Sequence, residues 1–244
     1  MKLAYDSEGD GPLVVLLHGF PQSRMTWKDS LPVLARAGFR AVAPDLRGYG
    51  DSPKPKGVDA YQASEVAADV AELIESLSSV PAIVVGHDWG AVMAWYLAMA
   101  RPELVRKLVI LNVPHPAAIA RELRRSTKQK LKLLYQLVFR LPVLPELAMR
   151  LFTRIRRDSL TPMFNYYRAV PRSRGTLKKL FRRIDVPVMI VWSEREPVFN
   201  ASAIEDLGAW VADVRIERIP GAGHFVQQDA PARVHELLLD FIRS

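Results

Sequence analysis

Residues 82–100 leave the chain little choice of fold. Ala82-Ile83-Val84-Val85 is a short, β-branched apolar run, and Ala91 to Ala100 is apolar on every side. The first has the length of a strand buried on both faces; the second reads as a buried helix. Only Gly86-His87-Asp88-Trp89-Gly90 separates them. Two glycines permit one sharp strand-to-helix turn, which lifts Asp88 to its tip at the helix N-terminus. A carboxylate there is favoured by the helix dipole and by converging backbone N–H groups. A plain Asp-capped turn would use the same five residues, so partners elsewhere in the chain must decide.

The rest of the sequence alternates in the same way. Strands are predicted at Leu13–Leu17, Phe39–Ala43, Val105–Leu111, Val186–Trp192 and Val214–Ile219. Helices are predicted at Arg24–Ala37, over about 61–78, over about 201–211, and from Pro231 onward, the last with Val234, Leu237, Leu238 and Phe241 at helical spacing. Strands alternating with helices imply a mostly parallel, doubly wound sheet with its chemistry at the C-terminal strand ends. His18, Asp88, Asn112, Glu194, Glu196 and His224 all follow predicted strands. Gly19 allows a turn after His18, and Pro21 is a candidate for a cis bond.

The alternation breaks at residues 113–185. This segment has no strand-like run and carries 18 Lys+Arg against 4 Asp+Glu, a net of +14, leaving 16 against 22 elsewhere. Two units follow: a core of 1–112 with 186–244, and a helical insert of 113–185. A basic helical surface is able to attract anionic lipid or nucleic acid; the reading favoured here is solvated helix faces, and no nucleic-acid-binding motif accompanies the charge. The 244 residues contain no cysteine, so thiolate chemistry and disulfides are excluded. No leader and no membrane-length apolar run is present, and the expected location is cytoplasmic.

An Asp at the tip of such a turn suits attack on an electrophilic saturated carbon. The result is an alkyl ester, which water then cleaves. His224, in the Gly-rich loop Pro220–Phe225, is the candidate base for that water.

His18-Gly19-Phe20-Pro21, the Asp45–Ser52 loop, Gly86–Gly90, Asn112-Val113-Pro114-His115-Pro116 and Gly221-Ala222-Gly223-His224-Phe225 occur in the order found in the α/β-hydrolase fold. Nearly the whole chain resembles the Asp-nucleophile epoxide hydrolases of that fold. The resemblance implies a triad of Asp88, an acid and His224, with 113–185 as the cap. The family's acid motif reads Gly-Glu-Arg-Asp-Pro; here it is Ser193-Glu194-Arg195-Glu196-Pro197, which puts Glu196 at the acid position and leaves Glu194 the weaker candidate. Family members also carry an additional N-terminal edge strand, and this chain starts where their second strand would. By resemblance, the backbone N–H groups of Phe20 and Trp89 form the oxyanion hole, and Phe20, Trp89 and Phe225 contact substrate.

Opening an epoxide needs donors for the developing alkoxide, and phenols are neutral donors at pH 7. The cap holds Tyr135, Tyr166 and Tyr167. The segments around Tyr135 and Tyr167 resemble the two that carry the family's donors, while Tyr166 falls on another helix face and is assigned to packing. Haloalkane dehalogenases, the enzymatic alternative, use the Trp after the nucleophile, present here as Trp89, plus a second Trp in the cap or an Asn after His-Gly. Here the five Trp are 27, 89, 95, 192 and 210, and Phe20 occupies the Asn position. The reading is therefore a cofactor-independent epoxide hydrolase with no metal, whose partners are a small-molecule epoxide and water. It has no nucleic-acid partner and no membrane span, and a homodimer stays open. A haloalkane or haloacid dehalogenase using the same Asp88 and a non-catalytic hydrolase-fold binding protein remain the alternatives.

Overall fold

The structure, a computed structural model, describes every residue except Arg154 and Leu180, and every side chain except those of Phe152, Arg154 and residues 173–180. Strands β1 (Tyr5–Glu8), β2 (Leu13–Leu17), β3 (Arg40–Pro44), β4 (Ala82–His87), β5 (Val105–Leu111), β6 (Val188–Ser193) and β7 (Val214–Ile219) form one sheet in the order β1-β3-β2-β4-β5-β6-β7. Only β1 is antiparallel; it pairs with β3 from Tyr5↔Pro44 to Glu8↔Ala41. All four β1 residues are exposed, so no burial pattern marks this strand in the sequence. By contrast β2, β4 and β6 are buried along their whole length, as parallel central strands covered on both faces must be.

Helices α1 (Ser30–Arg36), α2 (Ala63–Leu77) and α3 (Trp89–Ala100) follow β2, β3 and β4. The one helix predicted over Arg24–Ala37 is two pieces, a 3-10 turn at Arg24–Trp27 and then α1. Pro32 explains the break. Proline has no N–H for a helix already running through residue 28, but it is tolerated in the first turn of a helix that starts at Ser30. The predicted peptide bond between Phe20 and Pro21 is cis.

Between β5 and β6 the named elements are all helices: α4 (Pro116–Arg125), α5 (Thr127–Lys132), α6 (Tyr135–Arg140), α7 (Leu144–Phe152) and α8 (Arg157–Lys179), and an isolated bridge pairs Ile184 with Val211. After β6 the predicted helix over 201–211 shrinks to a 3-10 turn, Ala201–Ile204. The Arg121 guanidinium donates to the carbonyls of Ser202, Glu205 and Asp206, which a helix would have used internally. Asp206, at φ 54°, also turns the chain out of helical geometry. The chain ends with α9 (Val226–Asp229) and α10 (Pro231–Arg243), the latter at its predicted start. Two cores flank the sheet: α2 and α3 bury one, around Trp95 and Tyr96, and α1 and α10 bury the other, around Trp27 and Phe241.

Candidate active site

The turn after β4 is as tight as the sequence implies. Asp88 sits at φ 49°, ψ −119°, a strained conformation for a side-chain-bearing residue. A Cβ on Gly86 would lie 2.6 Å from the Gly90 carbonyl oxygen, and one on Gly90 would collide with the carbonyls of Leu17 and His18. Both glycines are thus required for strand and helix to meet here. The strain holds the Asp88 carboxylate above the C-terminal edge of the sheet, where the Phe20 N–H donates to its Oδ1 at 2.7 Å.

His224 reaches the same carboxylate from the loop before α9. Its Nε2 lies 3.5 Å from Asp88 Oδ2, and its Nδ1 is 2.8 Å from Glu196 Oε2. Glu196 is almost wholly buried and its other oxygen accepts from the N–H groups of Val198 (2.6 Å) and Phe199 (3.4 Å). Glu194 points to solvent. The two candidate acids are therefore separated by their surroundings, and only Glu196 meets the histidine. Burial on its own would lower the His224 pKa, but its bonds to Asp88 and Glu196 outweigh that and push it up to about 10. Burial would conversely raise the Asp88 pKa, yet the His224 bond and charge hold it below the ordinary carboxylate range. Both shifts favour a charged His224 beside a charged Asp88.

Two residues with no assigned role in the sequence reading hold this histidine in place. Asn112, fully buried after β5 at φ 60°, donates to the carbonyls of Gly223 (3.1 Å) and His224 (2.8 Å). Its oxygen accepts from the Ser193 N–H and hydroxyl, which ties the histidine loop to the end of β6. His87 Nε2 lies 2.8 Å from the His224 carbonyl and must donate to it. Burial, with the nearby His224 charge, drops the His87 pKa to about 4 and keeps it neutral.

A second network fixes the acid. Gln129 of α5 is fully buried; it donates to the Val198 carbonyl (2.9 Å) and accepts from the Asn200 N–H (2.8 Å). Lys132 donates to the carbonyls of Phe199 (2.9 Å) and Glu196 (3.3 Å). A polar residue in a basic helix gives no signal of this in sequence, because its partners are main-chain groups 64 to 71 residues away.

Beside Asp88 lies a mostly apolar cavity of about 940 Å³ lined by Trp89, Tyr135, Tyr166, Tyr167, Phe199 and Trp210, among others. The Tyr135 and Tyr167 rings are 6.4 Å apart, and Tyr167 packs edge-on against Trp89 at 5.1 Å. Burial, then the nearby Asp88 charge, pushes the Tyr135 phenol up to about 12 and raises Tyr167 well above the ordinary phenol value. Both remain protonated donors at neutral pH. The Tyr166 hydroxyl is committed to the Arg47 carbonyl at 2.7 Å, and its ring packs on Tyr49, Tyr61 and Trp89.

The predicted contact residues divide. Trp89 lines the cavity, but Phe20 and Phe225 are not among its lining residues. The Phe20 ring packs against Phe139, Phe164 and Tyr167. The Phe225 ring lies against His87 and His224. Trp210, outside the 113–185 insert, is a second tryptophan on the cavity wall, stacked face to face on His115 at 5.6 Å.

Known proteins share both the fold and this arrangement of segments. The sequence model of the alpha/beta hydrolase fold matches residues 12–141 and 124–231. Epoxide hydrolase 3 of Xenopus tropicalis is 30% identical, over 100% of this chain and 75% of its own length. The chain belongs to the epoxide hydrolase family of the α/β-hydrolase fold. An AB hydrolase superfamily protein of Bacillus subtilis, YfhM, is 33% identical over 100% of this chain and 94% of its own. The crystal structure of a Bacillus megaterium epoxide hydrolase in complex with an inhibitor superimposes with a TM-score of 0.88 at 28% identity, covering 99% of this chain and 97% of that one.

Proposed function

We propose that this protein hydrolyses epoxides to vicinal diols through an ester on Asp88, with residues 113–185 acting as its cap. The observation that carries the reading is Asp88–His224–Glu196 closing beside two protonated phenols in an apolar cavity. The curated and solved relatives named epoxide hydrolases support the same reaction.

Asp88 Oδ1 is held by the Phe20 N–H, which leaves Oδ2 as the oxygen that attacks an epoxide carbon. The C–O bond of the ring breaks as the ester forms, and Tyr135 and Tyr167 donate to the oxygen that takes up the charge. Esterification removes the negative charge of Asp88. His224 then loses one of the two carboxylates that keep it protonated, and its proton is free to move toward the opened oxygen. The product is a neutral hydroxyalkyl ester beside a neutral imidazole.

Neutral His224, oriented by Glu196, now takes a proton from water as that water attacks the ester carbon. The developing oxyanion is the former Oδ1, already bonded to the Phe20 N–H; the Trp89 N–H, in the first turn of α3, is the second donor. Collapse breaks the bond to the diol oxygen, which takes the remaining water proton from the newly formed carboxyl group; the diol leaves, and the Asp88 carboxylate and the imidazolium are restored. One epoxide and one water give one diol, with no net proton taken up.

A dehalogenase would use the same carboxylate but has no need of two phenols. Incubation with a styrene-oxide-type epoxide and, separately, with a haloalkane tests the assignment. Diol from the first and no halide from the second is expected. Halide release without diol would make the protein a dehalogenase, and neither product would make it a binding protein.

A further inference from the structure

The helices above the sheet carry a surface that this chemistry does not use. Among the described residues, fourteen large apolar side chains are exposed, and nine of them fall between Leu131 and Leu151. On α7 they make a stripe: Leu144, Leu147, Ala148 and Leu151 are all exposed at the i, i+3, i+4, i+7 spacing of one helix face. The turn that leads into it, Leu141-Pro142-Val143-Leu144, is four exposed apolar residues in succession. Val143 is 70% exposed and sits at φ 69°, a strained conformation for a β-branched residue. Contiguous apolar surface of this kind marks a contact site.

Cations accompany it: Arg150 is on α7 itself, Arg124 and Lys130 share the cavity wall with the exposed Leu134 and Leu137, and Arg125 and Lys128 are on the same helices as Arg124 and Lys130. Arg124, Arg125, Lys128, Lys130 and Arg150 are exposed, and none has an acidic partner among the described residues. The one acid between Arg124 and Leu151 is Glu146, and it is paired with Arg168 at 2.8 Å. Leu134, Leu137, Arg124 and Lys130 are at once exposed and part of the cavity wall, so the cavity reaches the surface here.

We propose that this face docks on an anionic lipid bilayer, with the 141–144 turn and the α7 stripe in the headgroup region and the cations on lipid phosphates. A bilayer supplies both kinds of contact that the face lacks, hydrocarbon for the leucines and negative charge for the rim. A second copy of the chain would cover the leucines but would give the exposed cations, Arg150 of α7 first among them, no negative charge. The contact is superficial, since no helix among the described residues is long and apolar enough to cross a membrane. The basic residues are exposed, as expected of solvated helix faces, and the proposal adds a partner for them on the strength of the exposed apolar stripe. Sequence could not show this, because the spacing of leucines on α7 is the same whether they face the core or water. The cavity mouth then lies on the bound side, and docking itself does not depend on the reaction proposed above.

Flotation of the full chain with vesicles tests the proposal without any substrate. Vesicles of phosphatidylcholine and phosphatidylglycerol in equal parts should carry the protein at low salt, and pure phosphatidylcholine should carry far less. V143E/L147E/L151E changes only solvent-facing positions and should lose flotation while keeping the wild-type melting curve. R125Q/K128Q/R150Q should bind about a hundredfold more weakly, since each cation near an anionic surface is worth about fivefold. If the glutamate variant does not fold, this charge variant decides alone. The proposal is overturned if the wild type stays unbound on anionic vesicles, or if folded variants float as it does. It is equally overturned if light scattering finds a dimer that the glutamate variant breaks, with no vesicle binding.

Discussion

Replacing Glu196 by Gln separates the acid's charge from its shape. In the wild type, Oε2 receives His224 Nδ1 at 2.8 Å, and Oε1 receives the N–H groups of Val198 and Phe199. Gln has one oxygen for these two tasks. If that oxygen stays with the backbone, the NH₂ faces Nδ1 and forces the tautomer with the proton on Nε2, which cannot accept from water. If it turns to His224, the NH₂ confronts two buried N–H groups. An orphaned buried donor costs about 1–3 kcal/mol. With one strong bond and one long bond at stake, the working orientation lies about 2–4 kcal/mol uphill. Ester hydrolysis should therefore slow about 30-fold to 10³-fold. Single-turnover reactions with excess epoxide, quenched and read by intact mass, should show the ester accumulating in E196Q. E194Q, at an exposed position, should match the wild type. Undiminished ester hydrolysis in E196Q would refute the role of this carboxylate.

Other expectations can be checked alongside. Tyr135→Phe and Tyr167→Phe should each slow alkylation of Asp88 about tenfold to a hundredfold, the worth of a hydrogen bond to a developing anion, whereas Tyr166→Phe should leave single-turnover alkylation unchanged. Gln129→Leu orphans the Val198 carbonyl and the Asn200 N–H; it should lower the melting temperature and slow ester hydrolysis more than ester formation, and equal effects on both steps would argue against a positioning role. The His224 pKa is raised to about 10, so its ion pairs stabilise the fold fully below the ordinary histidine value near 6.5 and lose that effect as pH rises through about 10. The gap in melting temperature between wild type and His224→Gln should accordingly narrow toward pH 10, and a gap independent of pH would contradict the ion pair.

The sheet and the turn at Asp88 were legible because both rest on local patterns, β-branched runs and glycines that permit one sharp turn. Elements failed where tertiary contacts replaced local ones. Arg121 takes the carbonyls that a helix over 201–211 would have used, and β1 carries no burial signal because it lies on the open edge of the sheet. Asp88, Glu196 and His224 follow strands and could be picked out by chemistry and order. Asn112, His87 and Gln129 act through main-chain carbonyls and N–H groups, and no side-chain pattern encodes which loop will be brought beside them. Phe20 illustrates the same division. Its N–H meets Asp88 as the motif implies, while its ring packs among cap aromatics and not in the cavity lining.

The proposed ester on Asp88 has one direct consequence that no other route shares. Water attacks the carbonyl carbon of Asp88, so its oxygen enters the enzyme before it can enter a product. One turnover with enzyme in excess, run in water labelled with heavy oxygen, should leave the label in the Asp88-containing peptide and none in the diol. Label in the diol with an unlabelled Asp88 would mean that water opens the epoxide directly, and the covalent account would be wrong.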